Sequence, residues 1–412
     1  MSTVHTLKLI SEIKNQVLDP SVGSGHGHSR LLQLVDELKL AVETPTETIL
    51  RLIYQVSSSF LPFIKERTLI LLKPPENAAL RTVVDLGIFP LLVNAEAKSG
   101  ISATNLARGT GGDQELIVRL MRVMTALGLC ATLEPEKYIA TDKSSSMIHP
   151  IGRDGVPCIF DLTVPTLSKL PEYFQLHGYR SPQEYSTSPM KWAVGKSQFE
   201  WLAGNRLHQD LFNSYMSSRR EGRPNWFSIY PIEQLMTGAV ASPDAVFLVD
   251  VGGNQGHDLA RFHAQYPKPP GRLILQDLPK IISSVERVGI EKIPYSFLNP
   301  QPIKGARAYC FRAIFHDWPD RICQKILMNT VSAMKPGYSS VIIIDFVLPD
   351  TNVPRMQAAM DIQMMSIGAG VERSEQQWRE LLLNAGLEII GIWNVSPNME
   401  SIIEAVKVAD TE

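Results

Sequence analysis

From Ala245 onward the chain alternates short apolar runs with stretches of helical spacing, and this restricts the fold more than any other feature. "AVFLVDV", "RLILQDLP", "ARAYCFRAIFH" and "SVIIIDFVLPD" are short, continuous and apolar, as strands buried on both faces are. Between them, "GHDLARFHAQYP", "KIISSVERVG" and "PDRICQKILMNTVSAMKPG" have the length and spacing of helices. "SEQQWRELLLNAGLEIIGIWNVS" reads as helix then strand, and "MESIIEAVKV" as the last strand. Such alternation implies right-handed crossovers and a mostly parallel α/β sheet with helices on both faces. Ligands of such sheets sit at the carboxyl ends of the strands.

The first of these strands runs into a turn of the form Asp250-x-Gly252-Gly253-Asn254-x-Gly256. Glycines there permit a sharp bend and close approach of a ligand to the backbone. No GK[ST] follows, so it is not a P-loop, and the spacing is not GxGxxG. Asp277 ends the next strand in "LILQDLP", followed by Leu278. An acid about 20 residues after the turn accepts hydrogen bonds from ribose hydroxyls. The pair indicates a nucleoside without separating NAD from S-adenosylmethionine.

The N-terminal part has a different texture. Two amphipathic segments, Leu7–Val17 and Leu31–Val42, flank "DPSVGSGHGHSR", where His26 and His28 read as part of a solvated loop. "LRTVVDLGIFPLLVNA" is apolar at helical spacing, "SATNLARGTG" offers a Ser cap, and "DQELIVRLMRVMTALGL" starts acidic and ends at a glycine. With the hairpin "CATLEPEKYIATD" they outline a winged helix. Between Ile101 and Ser145 the bases Arg108, Arg119, Arg122, Lys137 and Lys143 are matched by Asp113, Glu115, Glu134, Glu136 and Asp142. Nucleic acid binding needs clustered positive charge, so the segment reads instead as a helical dimerisation and packing domain.

Residues 165–236 are rich in aromatics and Met, which suits an apolar ligand pocket as well as a core. The division expected is 1–60, a helical extension; 61–165, winged-helix-like; 166–236, a substrate-lining linker; and 237–412, the catalytic domain. A net charge of −2 gives no general attraction to nucleic acid or anionic membrane. No apolar run approaches the ~20 residues that span a bilayer. Cys130, Cys158, Cys310 and Cys323 show no CxxC spacing. A cytoplasmic setting is the expectation.

"AYCFRAIFHDWPD" separates the nucleoside readings, because here a resemblance becomes clear. Together with "LVDVGGNQG", "LQDLP", "IIIDFVLPD" and "GAGVERSEQQW", it resembles the plant- and fungal-type small-molecule O-methyltransferases, most of all their fungal secondary-metabolite branch. The resemblance runs from about Arg81 onward. It implies a Rossmann-like class I methyltransferase domain, S-adenosylmethionine as cofactor, and a homodimer built through the N-terminal domain. His316 matches the general base, and Asp345 and Glu372 the acids that orient it. Gly252, Asp277 and Arg312 match cofactor-binding positions, to which Asp250, Gly253, Gly256, Leu278, Ser296 and Phe297 are added. Asn254 stands where the family commonly has Gly, and Ser296 where it usually has an Asp facing the adenine. Phe212, Met216, Trp226, Asp317, Met364 and Met365 are the candidate substrate-lining residues.

The chemistry of His316 can be argued without the family. A phenol is a poor nucleophile until its proton leaves. With Tyr at ~10 and His at ~6.5, transfer of that proton costs roughly 5 kcal/mol in water. A carboxylate beside the imidazole narrows the gap, and in-line positioning supplies the rest. No metal is required, and no ligand cluster for one is visible. The expected substrate is a planar or polyketide-like phenol. Two rivals stand beside methyl transfer: a methyltransferase-like enzyme of pericyclic or dehydration chemistry, and a non-catalytic member. The presence of His316 and Asp277 weighs against the second.

Overall fold

The structure is a computed structural model that describes residues 3–18, 31, 34–35, 37–39, 41–53, 66–96, 98–221, 223–286, 289–395 and 399–408. His26 and His28 lie outside the described residues. The chain divides into two compact units: residues 1–161 with 210–219, and residues 162–209 with 220–412.

In the N-terminal unit, helix Thr3–Leu18 covers the first amphipathic segment. The stretch "LRTVVDLGIFPLLVNA", read as one helix, is two. Gly87, at φ 68°, separates Glu66–Asp85 from Ile88–Asn94, a left-handed conformation that glycine adopts without steric cost. The break turns Ile88, Phe89 and Leu92 into the core. Ser102 caps helix Ala103–Thr110 by accepting from the Asn105 N–H, and Asp113 caps Gln114–Ala126 through the Leu116 N–H. Strands β1 (Ile101–Ser102), β2 (Cys130–Glu134) and β3 (Lys137–Ala140) form an antiparallel sheet in the order β1-β3-β2, which completes the winged-helix outline. Arg81 grips Asp161 with two bonds of 3.0 Å.

The C-terminal unit is built on a seven-stranded sheet. Its strands are β4 (Val246–Val251), β5 (Arg272–Asp277), β6 (Glu291–Pro294), β7 (Ala308–Arg312), β8 (Ser340–Asp345), β11 (Leu387–Trp393) and β12 (Ser401–Lys407). The order is β11-β12-β8-β7-β4-β5-β6. β4 to β8 run parallel, and β12 is antiparallel to both β8 and β11. The sheet is therefore mostly parallel and Rossmann-like, as expected. Val249, Val251, Tyr309, Phe311 and Trp378 belong to one core cluster, and Phe247, Leu248, Phe262 and Leu275 to the other. After β6 the chain returns past β5 and β4 to lay down β7, so the connections leave β4 in opposite directions on its two sides. Such a switch point opens a crevice at the carboxyl ends, here between Val251 and Arg312.

Three local expectations are corrected. Among the described residues of "KIISSVERVG" the helix spans only Pro279–Ile282, and the short strand β6 follows. "SVIIIDFVLPD" splits into β8 and β9 (Val347–Leu348), and β9 pairs in parallel with β10 (Arg373–Ser374). Helix Arg355–Gly368 was not foreseen. It buries Gln357, Gln363 and Ser366 beside Met360 and Met364, so no clean apolar stripe announces it.

Candidate active site

The turn after β4 folds tightly. Gly252, Asn254 and Gly256 all have positive φ, at 72°, 51° and 67°. The N–H groups of Gly252 and Gly253 donate to the Gln276 carbonyl on β5, at 2.8 and 3.3 Å. A Cβ on Gly253 would collide with the Asp250 carboxyl and stand 2.6 Å from Leu275 Cδ1. One on Gly252 would stand 2.7 Å from Ile314 Cδ1 and 3.7 Å from the Phe297 ring. The Asn254 left-handed conformation is one that Asn tolerates better than most residues.

Asp277 receives that turn. Its Oδ2 accepts the Asn254 N–H at 2.8 Å and its Oδ1 the Leu278 N–H at 2.7 Å. Each oxygen keeps a lone pair, and the side chain is half-buried. Burial raises its pKa, and the two N–H bonds oppose the rise. Asp250 is buried, which pushes its carboxyl up to about 7, with Asp258 adding to the shift and Arg220 opposing it. Asn254 Oδ1 is buried with no partner among the described residues. An unsatisfied amide oxygen and a buried acid at the mouth of a glycine turn, beside a carboxylate with open lone pairs, suit a nucleoside that carries a positive charge.

The loop after β6 carries Ser296 and Phe297, both half-buried. It is tied to β5 by the Tyr295 N–H, which donates to the Asp277 carbonyl at 2.8 Å, and Asn329 Nδ2 donates to the Phe297 carbonyl at 3.0 Å. Beneath it, the buried amides of Gln276 and Gln301 exchange two hydrogen bonds, 2.8 and 2.9 Å. Arg312 ends β7, and its guanidinium meets two acids. Nη1 meets Asp258 Oδ1 at 3.0 Å, and Nε and Nη2 meet Glu400 Oε2 at 2.9 and 2.5 Å. The observed work of Arg312 is thus to join β7 to the first turn of helix His257–Gln265.

His316 lies four residues beyond β7 in the 3-10 turn Phe315–Asp317. Its Nδ1 is 2.8 Å from Glu372 Oε1 and 4.0 Å from Asp345 Oδ1. Its Nε2 faces Asp317 Oδ1 at 3.8 Å, too far for a hydrogen bond. Burial works against charge on the ring, but Glu372, Asp345 and Asp317 outweigh it and raise the imidazolium to about 10. Burial also pushes Asp345 up to about 7, His316 opposing. Asp345 Oδ2 and Glu372 Oε2 are buried with no partner among the described residues. The cluster thus holds its proton on the imidazole, with Nδ1–H toward Glu372 and Nε2 as the nitrogen that can exchange one.

Trp226 is a core residue, 3% exposed and packed with Phe227, Tyr230 and Phe262, which corrects the expectation that it lines a substrate site. Met364 is buried and Met365 half-buried, on the helix that packs on the His316 turn. Phe212 and Met216 lie in the segment 210–219, which belongs to the N-terminal unit. Tyr185, one of the aromatics of residues 165–236, has its ring 4.8 Å from that of Trp318 and against Gly368. Two features escaped the sequence reading, the Gln276–Gln301 pair and Arg373. Only "LQDLP" and "VERSE" carried a trace of them, as polar residues inside apolar context. Among the described residues, no helix is long and apolar enough to cross a membrane.

Residues 188–388 match the family model of an O-methyltransferase domain, and residues 76–149 that of an O-methyltransferase dimerisation domain. The O-methyltransferase asqD of Emericella nidulans is 37% identical over 344 residues, 82% of this chain and 88% of that protein. A solved structure described as a pericyclic reaction enzyme superposes with a TM-score of 0.77 at 28% identity, covering 98% of this chain and all of the other. OxaC in complex with SAH and oxaline superposes with a TM-score of 0.76 at 26% identity, covering 98% and 99% of the two chains.

Proposed function

This chain belongs to the O-methyltransferases that join a dimerisation domain to a methyltransferase domain, and we propose that it methylates a phenolic hydroxyl of a small secondary metabolite with His316 as base. One observation carries the assignment. His316 Nδ1 is held at 2.8 Å by buried Glu372, while Nε2 makes no hydrogen bond among the described residues. An imidazole fixed in this way offers Nε2 to a proton and nothing else.

S-adenosylmethionine fits the turn after β4. It supplies an electrophilic methyl group on a positively charged sulfur. Asp277 would offer lone pairs to ribose hydroxyls, Ser296 and Phe297 would hold the adenine, and Asp250 and Asn254 Oδ1 would give a cationic ligand two acceptors. With the ring near 10, His316 rests protonated at neutral pH and must lose that proton before it can act. A positive charge bound nearby lowers the imidazolium pKa, so the rate rises through an apparent value between ~6.5 and about 10. Asp317, Met364 and Met365 line the substrate side. The protein works as a homodimer in the cytoplasm, without nucleic acid, membrane or metal, and the division at residues 60, 165 and 236 belongs to the same proposal.

The test is incubation with methyl-labelled S-adenosylmethionine and a panel of phenols. His316→Ala is expected to keep S-adenosylhomocysteine affinity and lose ~10²–10⁴ in turnover, with no rescue by Gln. Near-full transfer by His316→Ala removes the base assignment. A second reading, pericyclic chemistry, is favoured by the full-length likeness to a pericyclic reaction enzyme. It predicts a rearranged product of unchanged mass and no label.

A further inference from the structure

The residue after Glu372 sends part of its guanidinium to both ends of the turn that carries the base. Arg373 is 1% exposed. Its Nη1 donates to the carbonyls of Phe315 and Val371 at 2.9 and 3.2 Å, and its Nη2 to the carbonyl of Trp318 at 2.9 Å. Nε and Nη2 also donate to Asp320 Oδ1, at 3.0 and 2.7 Å, and Nη2 lies 3.3 Å from Cys323 Sγ. Phe315 and Trp318 stand on either side of His316 and Asp317, so one planar fork clamps both ends of that pair. The turn's own bonds, from Asp317 N–H to Ile314 and from Trp318 N–H to Phe315, are both 3.2 Å long. Just upstream, Ala313 is left-handed at φ 52°, a conformation that persists only when its surroundings over-determine it. On the far side, the Val371 N–H donates to the His316 carbonyl at 3.0 Å, and a Cβ on Gly370 would collide with that oxygen. Glu372 thus holds the imidazole ring while its two neighbours hold the backbone beneath it.

We propose that Arg373 is the positioning residue of His316, fixing the backbone turn so that Nδ1 meets Glu372 and Nε2 stays presented to the substrate hydroxyl. This rests on the reading of His316 as base. The bland alternative is that Arg373 merely fastens β10 to helix Asp320–Val331. The two differ in what a change at Arg373 does once the base is gone.

Arg373→Lys in the full-length protein keeps the charge but replaces a five-donor fork with a point donor that cannot span two carbonyls. The expected result is unchanged S-adenosylhomocysteine affinity by calorimetry and a turnover loss approaching the ~10²-fold of a 1 Å misplacement. The pH–rate profile should move to lower pH, because the ring slackens against Glu372 with Asp345 and Asp317 left as its remaining acids. In the His316→Ala background the same substitution should cost less than about twofold, since coupled residues are not additive. Asp320→Asn is the second variant, should the lysine variant not fold. The Asp320 side chain is 71% exposed, and Asn keeps an acceptor oxygen for Nε and Nη2 while removing the charge that anchors Arg373. It should lower turnover several-fold with cofactor affinity intact. Full additivity with His316→Ala, or equal losses of affinity and turnover, overturns the proposal. Retained transfer by His316→Ala alone would instead sink the base reading, so the two failures are told apart.

Discussion

Glu372→Gln isolates what a buried carboxylate does to a base. Its Oε1 lies 2.8 Å from His316 Nδ1. Gln keeps the shape and an acceptor oxygen, so the tautomer is retained and only the charge is removed. A hydrogen bond to a charged group contributes ~1.5–3 kcal/mol, and one pKa unit is ~1.36 kcal/mol, so the ring should fall by ~1–2 units. From about 10 this leaves it at ~8–9, still above ~6.5 because Asp345 and Asp317 remain at 4.0 and 3.8 Å. A His whose folded pKa is raised contributes stability that is full below ~6.5 and is lost as pH rises through about 10. In the variant that loss should be complete ~1–2 units earlier and be smaller in total. The assay is an NMR titration of the His316 ring in ligand-free protein, run beside denaturant unfolding at several pH values. Turnover should drop, but by less than in His316→Ala. An unchanged or higher ring pKa would refute the reasoning, since it would mean that the carboxylate is not what keeps the ring charged.

Asp277→Ala removes the acceptor of two backbone N–H groups and of the ribose. Calorimetry should show S-adenosylhomocysteine binding weakened by ~1.5–3 kcal/mol, roughly ten- to hundred-fold, and an unchanged affinity would remove Asp277 from the cofactor site. Gly253→Ala forces a methyl group onto the Asp250 carboxyl and Leu275. It should lower unfolding stability by ~1–3 kcal/mol and weaken the same ligand, and a thermal midpoint equal to wild type would contradict the packing described.

The catalytic sheet was legible because its strands are buried on both faces and therefore read as unbroken apolar runs. The order of those strands was not, since nothing local marks β12 as the strand that enters between β8 and β11. Gly87 shows the limit of periodicity. The apolar spacing continues across it, and only its left-handed conformation splits the helix. At the site, Asp277 could be named from its spacing after the glycine turn, and His316 and Glu372 from the family resemblance of "FHDWPD" and "GVERSE". Arg373 and Gln276 could not. Their value lies in reaching carbonyls and amides that are distant in sequence, such as Phe315 and Gln301. Arg312 was named through the resemblance as a cofactor position, and its ion pairs with Asp258 and Glu400 had no signal in the sequence.

The place of β12 bears on how the protein is made. During synthesis β4 to β8 emerge first, and the outer edge of β8, the run "SVIIID", stays open until Ser401–Lys407 follows. An apolar edge with free N–H and C=O groups is a template for pairing with other chains, so this interval is when a nascent chain most needs a chaperone. Asp345 stands on that edge, and its cross-strand partner is Ser401. Asp345, beside His316, is therefore seated by a strand translated well after it. A frameshift that spares every catalytic side chain but deletes β12 should yield aggregate in the cell, not a weakened enzyme.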